Sequence, residues 1–272
     1  MALADVKIVL VEPAGPLNVG SVARVMKNMG LHQLVLVNPQ CDRFSSEARQ
    51  MAVHAIDVLE AAQIVPTLPD ALHGCQRAIA TTGRRHTTLN LPLEPPSSAL
   101  SWLITASPVP AALLFGREDR GLTNEELNYA QRLVYIPTSP DYTSLNLAQA
   151  VAICCYELHL SATRENLTET DRTITEKTIV PSASLAPSTT NLASLDVLEG
   201  FYQHLESLLL TIGYLYPHTV ASRMEKFRQL LNRAYPSPTE MALLRGILSQ
   251  VEWAIRKSES RKKDEEQRYQ DK

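Results

Sequence analysis

Val6-Lys-Ile-Val-Leu-Val11, followed by Pro13-Ala-Gly-Pro-Leu-Asn-Val-Gly-Ser-Val-Ala-Arg-Val-Met-Lys-Asn-Met-Gly30, is the stretch whose reading decides the architecture. The first run is apolar apart from one lysine and reads as a buried strand. Pro13, Gly15, Pro16 and Gly20 then form a tight turn in which Asn18 and the early backbone N–H groups can face a ligand. From there Val19, Val22, Ala23, Met26 and Met29 recur at helical spacing, with Ser21, Arg24, Lys27 and Asn28 on the other side and Gly30 as the stop. A strand that leads through Gly and Pro into a helix N-terminus is a ready anion site. Arg24, one turn into the helix, points to the same use.

Outward from this unit the alternation repeats. Apolar runs at Leu34–Val37, Arg77–Thr82, Ala111–Phe115 and Leu133–Ile136 read as strands, separated by helical patterns over Ser45–Ala62 and Thr123–Arg132. The second pattern opens on Thr123-Asn-Glu-Glu126, a capping box. Near-continuous apolar strands between helices predict an α/β domain over residues 1–160, a parallel sheet covered by helices. Ligands of such sheets lie beyond the carboxyl ends of the strands. Thr81–Arg85, Phe115–Gly121 and Pro137–Asn146 fall there, the last leading into a helix over Leu147–Leu160.

Residues 161–193 turn to Ser, Thr, Pro and Glu, with Pro181 and Pro187, and read as a linker of low structural content. Residues 194–272 read as a small all-helical domain with three apolar stripes. These run from Leu195 to Ile212 before Gly213, from Val220 to Leu231, and from the capping box Ser237-Pro-Thr-Glu240 to Ile255. The charged tail beyond Arg256 is expected to fray.

Composition narrows the chemistry. The chain has 272 residues, 44% hydrophobic and 20% charged, with a formal net charge of -3. No apolar segment approaches the ~20 residues that span a bilayer, and the N-terminus lacks a basic region followed by a long apolar core. Cys41, Cys75, Cys154 and Cys155 form no C-x-x-C pair, and the adjacent two read as buried thiols. A cytoplasmic location is therefore expected, without structural zinc or membrane association. The net charge argues against a uniformly basic nucleic-acid binder but leaves local clusters: Arg24 with Lys27, Arg84-Arg85-His86, and Arg117 with Arg120. Each is equally readable as solvated surface charge. There is no G-x-G-x-x-G after the first strand, no P-loop, no G-x-S-x-G elbow and no metal-ligand spacing of histidines. A chemistry without metal, nucleophilic cysteine or histidine dyad remains.

Taken singly the polar stretches have plain readings: Asn18 as a turn residue, Glu118 as a cap or an arginine's partner, Ser144 as an N-cap. Taken in order, Asn18-x-Gly20-x-x-x-Arg24, Phe115-Gly-Arg-Glu118 with Gly121-Leu122, and Ser144-Leu-Asn146-Leu resemble the three motifs of the SPOUT class (SpoU/TrmH superfamily) of S-adenosylmethionine-dependent RNA methyltransferases. Their spacing is similar to that of the branch that methylates ribose 2′-hydroxyls. Val9-Leu-Val-Glu12, Phe201-Tyr-x-His204-Leu-Glu206 and Leu244-Arg-Gly-Ile-Leu248 extend the likeness to the bacterial TrmJ type over nearly the whole chain. That type methylates the first nucleotide of the tRNA anticodon loop.

The resemblance implies a C-terminal trefoil knot in the catalytic sheet, with roughly Ala111 to Leu160 threaded through a loop, which ordinary topology rules would not suggest. It implies S-adenosylmethionine bound by Thr81, Thr82, Gly83, Gly116, Ile136, Thr143, Ser144 and Leu145. At the first loop this chain has Thr82-Gly83 where close relatives often carry Ser-Ala. Catalytic roles fall on Arg24, Asn18, Glu118, Ser144 and Asn146. Arginine is effectively always protonated, so Arg24 is suited to stabilising a developing alkoxide rather than to taking its proton. Asn18 and Asn146 are expected to orient the nucleotide or the arginine, and Glu118 to fix the arginine through a charge-assisted bond. Lys27, Arg84, Arg85, Arg117 and Arg120 are expected on the RNA backbone. The partners implied are tRNA and a second copy of the chain, with the site at the subunit interface and Arg24 reaching the RNA from the opposite subunit. Another tRNA or ribosomal RNA site, and a non-catalytic RNA-binding protein of the same fold, are the alternatives.

Overall fold

A computed structural model describes residues 3–83, 91, 93–104, 109–172 and 192–270, with side chains except at 165–172 and 259–270. The chain divides into two compact units. One runs from the N-terminal end through Arg172 and includes Ser194–Asp196, and the other takes Leu192, Ala193 and Val197 onward.

The first unit begins with β1 (Val6–Val11), α1 (Pro16–Asn28), β2 (Gln33–Val37), α2 (Ser46–Ala52), α3 (Ile56–Ala61), β3 (Gln63–Val65) and α4 (Leu68–Ala71). It continues with β4 (Arg77–Thr81), β5 (Leu93–Glu94), α5 (Pro96–Ala99), α6 (Ser101–Ile104), β6 (Ala111–Phe115), α7 (Asn124–Leu127), β7 (Arg132–Val134) and α8 (Leu147–Arg172). The seven described strands form one sheet, ordered β3-β2-β1-β6-β4-β7-β5, and every pairing is parallel. β1 lies centrally, Val9 pairing with Val35 on one side and Leu114 on the other. Its side chains are almost continuously apolar because both faces are covered; every residue of β6 is buried likewise. β6 enters between the earlier strands β1 and β4, so the carboxyl ends of β6, β4 and β7 lie side by side. The loops that leave those ends build the site.

Several boundaries differ from the sequence reading. β3 and β5 are short edge strands, β3 largely exposed, and neither leaves an apolar run to find. The helical pattern over residues 45–62 is two helices, parted by a turn at Ala52–Ala55. Gly20 is not in the turn before α1 but inside the helix, which already begins at Pro16. A Cβ there would stand 2.1 Å from the Ala48 carbonyl oxygen, so glycine lets α1 pack backbone-to-backbone on α2. α8 continues to Arg172, past residue 160 where the linker was expected to begin. Pro181 and Pro187 lie outside the described residues.

The second unit is helical: α9 (Leu195–Thr211, whose first two residues count with the first unit), α10 (Val220–Ala234) and α11 (Pro238–Gln270). Its interior takes Leu198, Phe201, Tyr202 and Leu208 of α9, Met224 of α10, and Met241 and Leu248 of α11. The Arg228 guanidinium holds the Glu199 carboxylate at 2.6 and 3.0 Å and lies 4.4 Å from the centre of the Tyr202 ring. α11 opens on its capping box, Ser237 N–H donating to Glu240 at 2.7 Å and Glu240 N–H to Ser237 Oγ at 3.3 Å. Its backbone stays helical through Gln270, where the sequence suggested fraying beyond Arg256.

Candidate functional site

The loops after β4, β6 and β7 enclose a cavity of about 280 Å³, close to the lower end of the ~300–1,000 Å³ usual for small-molecule sites. Thr81, Thr82 and Gly83 line it from the first loop, Gly116 from the second, and Ile136, Thr143, Ser144 and Leu145 from the third. These are the eight positions expected to meet a cofactor. Thr81 Oγ1 donates to the Leu114 carbonyl at 2.9 Å and Thr82 N–H to the Val134 carbonyl at 2.9 Å, which ties the first loop to both neighbouring strands. Thr138 Oγ1 donates to the Thr143 carbonyl at 3.2 Å and closes the third loop on itself. The second loop doubles back tightly. Gly121 N–H donates to the Arg117 carbonyl at 2.8 Å, and a Cβ on Gly116 would stand 2.1 Å from the Gly121 carbonyl carbon.

Beside the cavity, Glu118 takes three bonds: from Ala14 N–H at 3.0 Å, Gly15 N–H at 3.0 Å and Asn18 Nδ2 at 2.9 Å. The N-cap of α1 is Gly15, which brings no side-chain acceptor of its own. The anion that the strand-turn-helix was expected to bind is therefore a carboxylate of the same chain, placed at the positive end of α1. Burial pushes the Glu118 carboxyl up, but the bonds from Ala14, Asn18 and Gly15, with that from its own N–H, outweigh it and hold the group below the ordinary value. Asn18 Oδ1 in turn accepts from Asn146 Nδ2 at 2.9 Å, and Asn146 Oδ1 caps α8 by accepting Ala148 N–H at 2.9 Å. Glu118, Asn18 and Asn146 thus link all three sequence motifs. Of the two plain readings of Glu118, cap or arginine partner, this chain shows the cap, and one expectation is corrected: the N-cap of α8 is Asn146, not Ser144. Ser144 is exposed on the cavity wall.

Arg24 lines a different cleft, of about 140 Å³, with Lys27, Asn28 and the segment Ala52–Ala55. It is exposed and makes no hydrogen bond or ion pair among the described residues. Three of the five cations expected on the RNA backbone are engaged within the chain. Lys27 Nζ donates to Asp57 at 2.8 Å and to the His54 carbonyl at 2.8 Å. Arg117 Nε stands 3.1 Å from Asp119, an ion pair rather than an aligned hydrogen bond. Arg120 donates to Glu126 at 2.9 and 3.0 Å and to Glu12 at 2.9 Å; Glu126 first and Glu12 second raise its pKa above the ordinary arginine value. Its geometry is that of a bracket for the second loop, not of a free phosphate contact. Arg84 and Arg85 lie outside the described residues.

Two features were missed in the sequence. Glu12 joins the bracket from the end of β1; it and Asn38, at the end of the neighbouring β2, adopt left-handed backbone with φ of 50° and 43°, and Asn38 Nδ2 donates to Glu12. Glu126 was legible only as half of a capping box. The second feature is the Ala52–Ala55 turn, closed by Ala55 N–H donating to the Ala52 carbonyl at 2.9 Å. Val53 takes φ 53° and ψ -104°, the first central position of a type II′ turn, which glycine normally fills. For a β-branched residue that conformation costs on the order of 1–3 kcal/mol.

Among the described residues no group of three or more His, Cys, Asp or Glu could hold a metal ion, and no helix is long and apolar enough to cross a membrane. Cys154 and Cys155 are buried in α8, and burial pushes the Cys155 thiol up to about 12.

Residues 5–156 match the SpoU rRNA Methylase family, and residues 196–265 match the C-terminal domain of the tRNA methyltransferase TrmJ. The chain is 41% identical over 252 residues to the tRNA (cytidine/uridine-2′-O-)-methyltransferase TrmJ of Salmonella typhimurium, covering 92% of this chain and 97% of that one. The enzyme of the same name from Escherichia coli K12 is also 41% identical, over 92% and 96% of the two chains. Among solved structures, TrmJ from Z. mobilis ZM4 superposes with a TM-score of 0.75 at 29% identity, over 90% of this chain and 98% of that one. A probable methylase family protein from Haemophilus influenzae gives 0.59 at 31% identity, over 93% and 97%.

Proposed function

The chain belongs to the SpoU methylase family and, within it, to the TrmJ group, and on that premise we propose that it transfers a methyl group from S-adenosylmethionine to a ribose 2′-hydroxyl of tRNA. The favoured target is the pyrimidine that opens the anticodon loop. One observation carries the reading: Glu118, Asn18 and Asn146 from three distant segments form a single hydrogen-bonded relay beside a cavity lined by the three loops.

The cavity suits the cofactor. Gly116 lets the chain at Gly121–Leu122 pass where any side chain would collide, and Leu122, Ile136 and Leu145 offer apolar walls for a base beside the hydroxyl of Thr143 and the backbone of Gly83. Bound there, S-adenosylmethionine supplies an activated methyl group on its sulfonium. The chain's own work is to place and polarise the ribose. Arg24, permanently cationic, stabilises negative charge as it develops on the 2′-oxygen, whose proton passes to water or an RNA phosphate. The Glu118–Asn18–Asn146 relay fixes the N-terminus of α1 against that of α8, and so fixes the helix that carries Arg24. Ser144, exposed at the cavity wall, offers a hydroxyl toward the entering nucleotide.

Arg24 and the cofactor cavity belong to separate clefts of one chain. This supports a homodimer in which Arg24 of one copy serves the cavity of the other. The order β1-β6-β4-β7 and the tight passage at Gly116 support a trefoil knot in this part of the sheet. A tRNA-modifying activity supports a cytoplasmic location.

Incubation with labelled S-adenosylmethionine and bulk tRNA, followed by mapping of 2′-O-methyl groups, tests the proposal. Label at the first anticodon-loop nucleotide is expected, and its absence from tRNA would refute the reading. Arg24→Ala is expected to lose about 10²–10³-fold in turnover with S-adenosylhomocysteine binding retained. In light scattering at micromolar concentration, a dimer is expected.

A further inference from the structure

We propose that the cleft between α1 and the Ala52–Ala55 turn seats the sugar-phosphate of one RNA nucleotide, held between Arg24 and the side chains of Val53 and His54, and that the unusual conformation of Val53 is retained for this contact. The proposal rests on the assignment of Arg24 to the RNA.

Arg24, Lys27 and Asn28 project from one side of α1, and Ala52, Val53, His54 and Ala55 face them. The cleft's volume of about 140 Å³ is half that of the cofactor cavity, which leaves room for a sugar or a phosphate but not for a nucleoside cofactor. Among the described residues the lysine of this cleft, Lys27, is paired with Asp57 at 2.8 Å. Arg24 is left as a charged donor without a partner among the described residues. The Lys27 bond to the His54 carbonyl pins the turn to α1, so the position of His54 and Val53 beside Arg24 is set by the scaffold.

Val53 itself is the second line of evidence. It occupies glycine's place in the turn, yet the residue is 42% exposed and is not part of the buried core. Strain of this kind persists where the surroundings enforce it and clusters at functional sites. An isopropyl group and an imidazole at the mouth of a cationic cleft give one apolar and one hydrogen-bonding surface. That pair suits a ribose with its phosphate, the part of single-stranded RNA that has both characters.

The test uses the full-length protein, with Val53→Gly, Val53→Ala and His54→Ala compared by thermal unfolding, by calorimetry with S-adenosylhomocysteine, and by KM and kcat with tRNA. Val53→Gly relieves the turn and is expected to raise the unfolding midpoint by about 3 °C, while KM for tRNA rises about fivefold and the S-adenosylhomocysteine Kd stays within about twofold. His54→Ala is expected to raise KM for tRNA similarly, and Val53→Ala to fall between. A merely structural Val53 would not yield a protein that is both more stable and weaker on RNA. The proposal is overturned if Val53→Gly and His54→Ala both keep KM for tRNA within about twofold of the wild type, or if Val53→Gly lowers the midpoint and the S-adenosylhomocysteine affinity together. Should the wild type transfer nothing to tRNA, the proposed function fails instead. Anisotropy with a fluorescent tRNA then decides on the cleft: weaker binding by both variants supports it, and unchanged binding overturns it.

Discussion

Replacing Gly116 by alanine adds one methyl group at the tightest backbone crossing of the cavity. That Cβ would stand 2.1 Å from the Gly121 carbonyl carbon, 2.2 Å from Leu122 N and 2.5 Å from the Gly121 oxygen. All three are backbone atoms, so no rotamer change can relieve the collision. Ordinary contact begins near 3.4 Å, and the Gly121–Leu122 segment must retreat by roughly 1.3 Å. Overpacking of this sort costs about 1–3 kcal/mol. The retreating segment lines the cavity and is braced by Arg120 to Glu12 and Glu126, so most of the distortion falls on the ligand site. Calorimetry with S-adenosylhomocysteine is expected to show binding about 10- to 100-fold weaker. Gly83→Ala is the control: it lines the same cavity, but an added Cβ there meets nothing within 4 Å, and binding is expected to stay within about twofold. Wild-type affinity in Gly116→Ala, at an unchanged unfolding temperature, would refute both the crossing and the location of the site.

Three further outcomes are expected. Arg24→Ala should reduce the slope of log affinity for tRNA against log salt by about one charge, whereas Arg120→Ala should leave the slope unchanged and weaken S-adenosylhomocysteine instead, because its guanidinium already holds two carboxylates. Glu118→Gln should cost about 1 kcal/mol at neutral pH, a figure discounted for partial exposure. Because the folded carboxyl lies below its ordinary value of 4.5, that contribution is complete above about pH 4.5 and is lost as pH falls through the lower folded value. Denaturant titrations of wild type and variant should therefore converge on acidification, and a gap that widens would contradict the bonding seen. Gly20→Ala should destabilise the protein by about 1–3 kcal/mol, since its Cβ would meet the Ala48 carbonyl oxygen at 2.1 Å; an unchanged denaturation midpoint would mean that α1 and α2 are not so closely packed.

The alternation of buried strand and amphipathic helix was legible because burial leaves a local trace. Val6–Val11 and Ala111–Phe115 are apolar throughout since both sheet faces are covered, and α1 alternates at helical spacing since only one side is. The capping boxes at Thr123 and Ser237 were legible for the same reason, each being complete within four residues. The order of polar motifs along the chain sufficed to locate the loops that enclose the cavity. The strand order, the passage of β6 between β1 and β4, and the short strands β3 and β5 leave no such trace, because hydrogen-bonded edges bury too little side chain to pattern it.

The partners of charged and polar groups belong entirely to the tertiary structure. From sequence, Glu118 was free to pair with any neighbouring arginine and Arg120 to meet a phosphate. In the fold Glu118 holds Asn18 and the start of α1, more than a hundred residues away along the chain for Ala14 and Gly15, and Arg120 closes on Glu12 and Glu126. Sequence therefore determined which segments lie inside, where the helices with capping boxes at Thr123 and Ser237 begin and which loops are polar, since each follows from what a short segment exposes to water. Which carboxylate neutralises which donor, which arginine is left over, and where Val53 must strain are decided only when distant segments meet, because a hydrogen bond reaches about 3 Å and nothing in local spacing says what will stand that close.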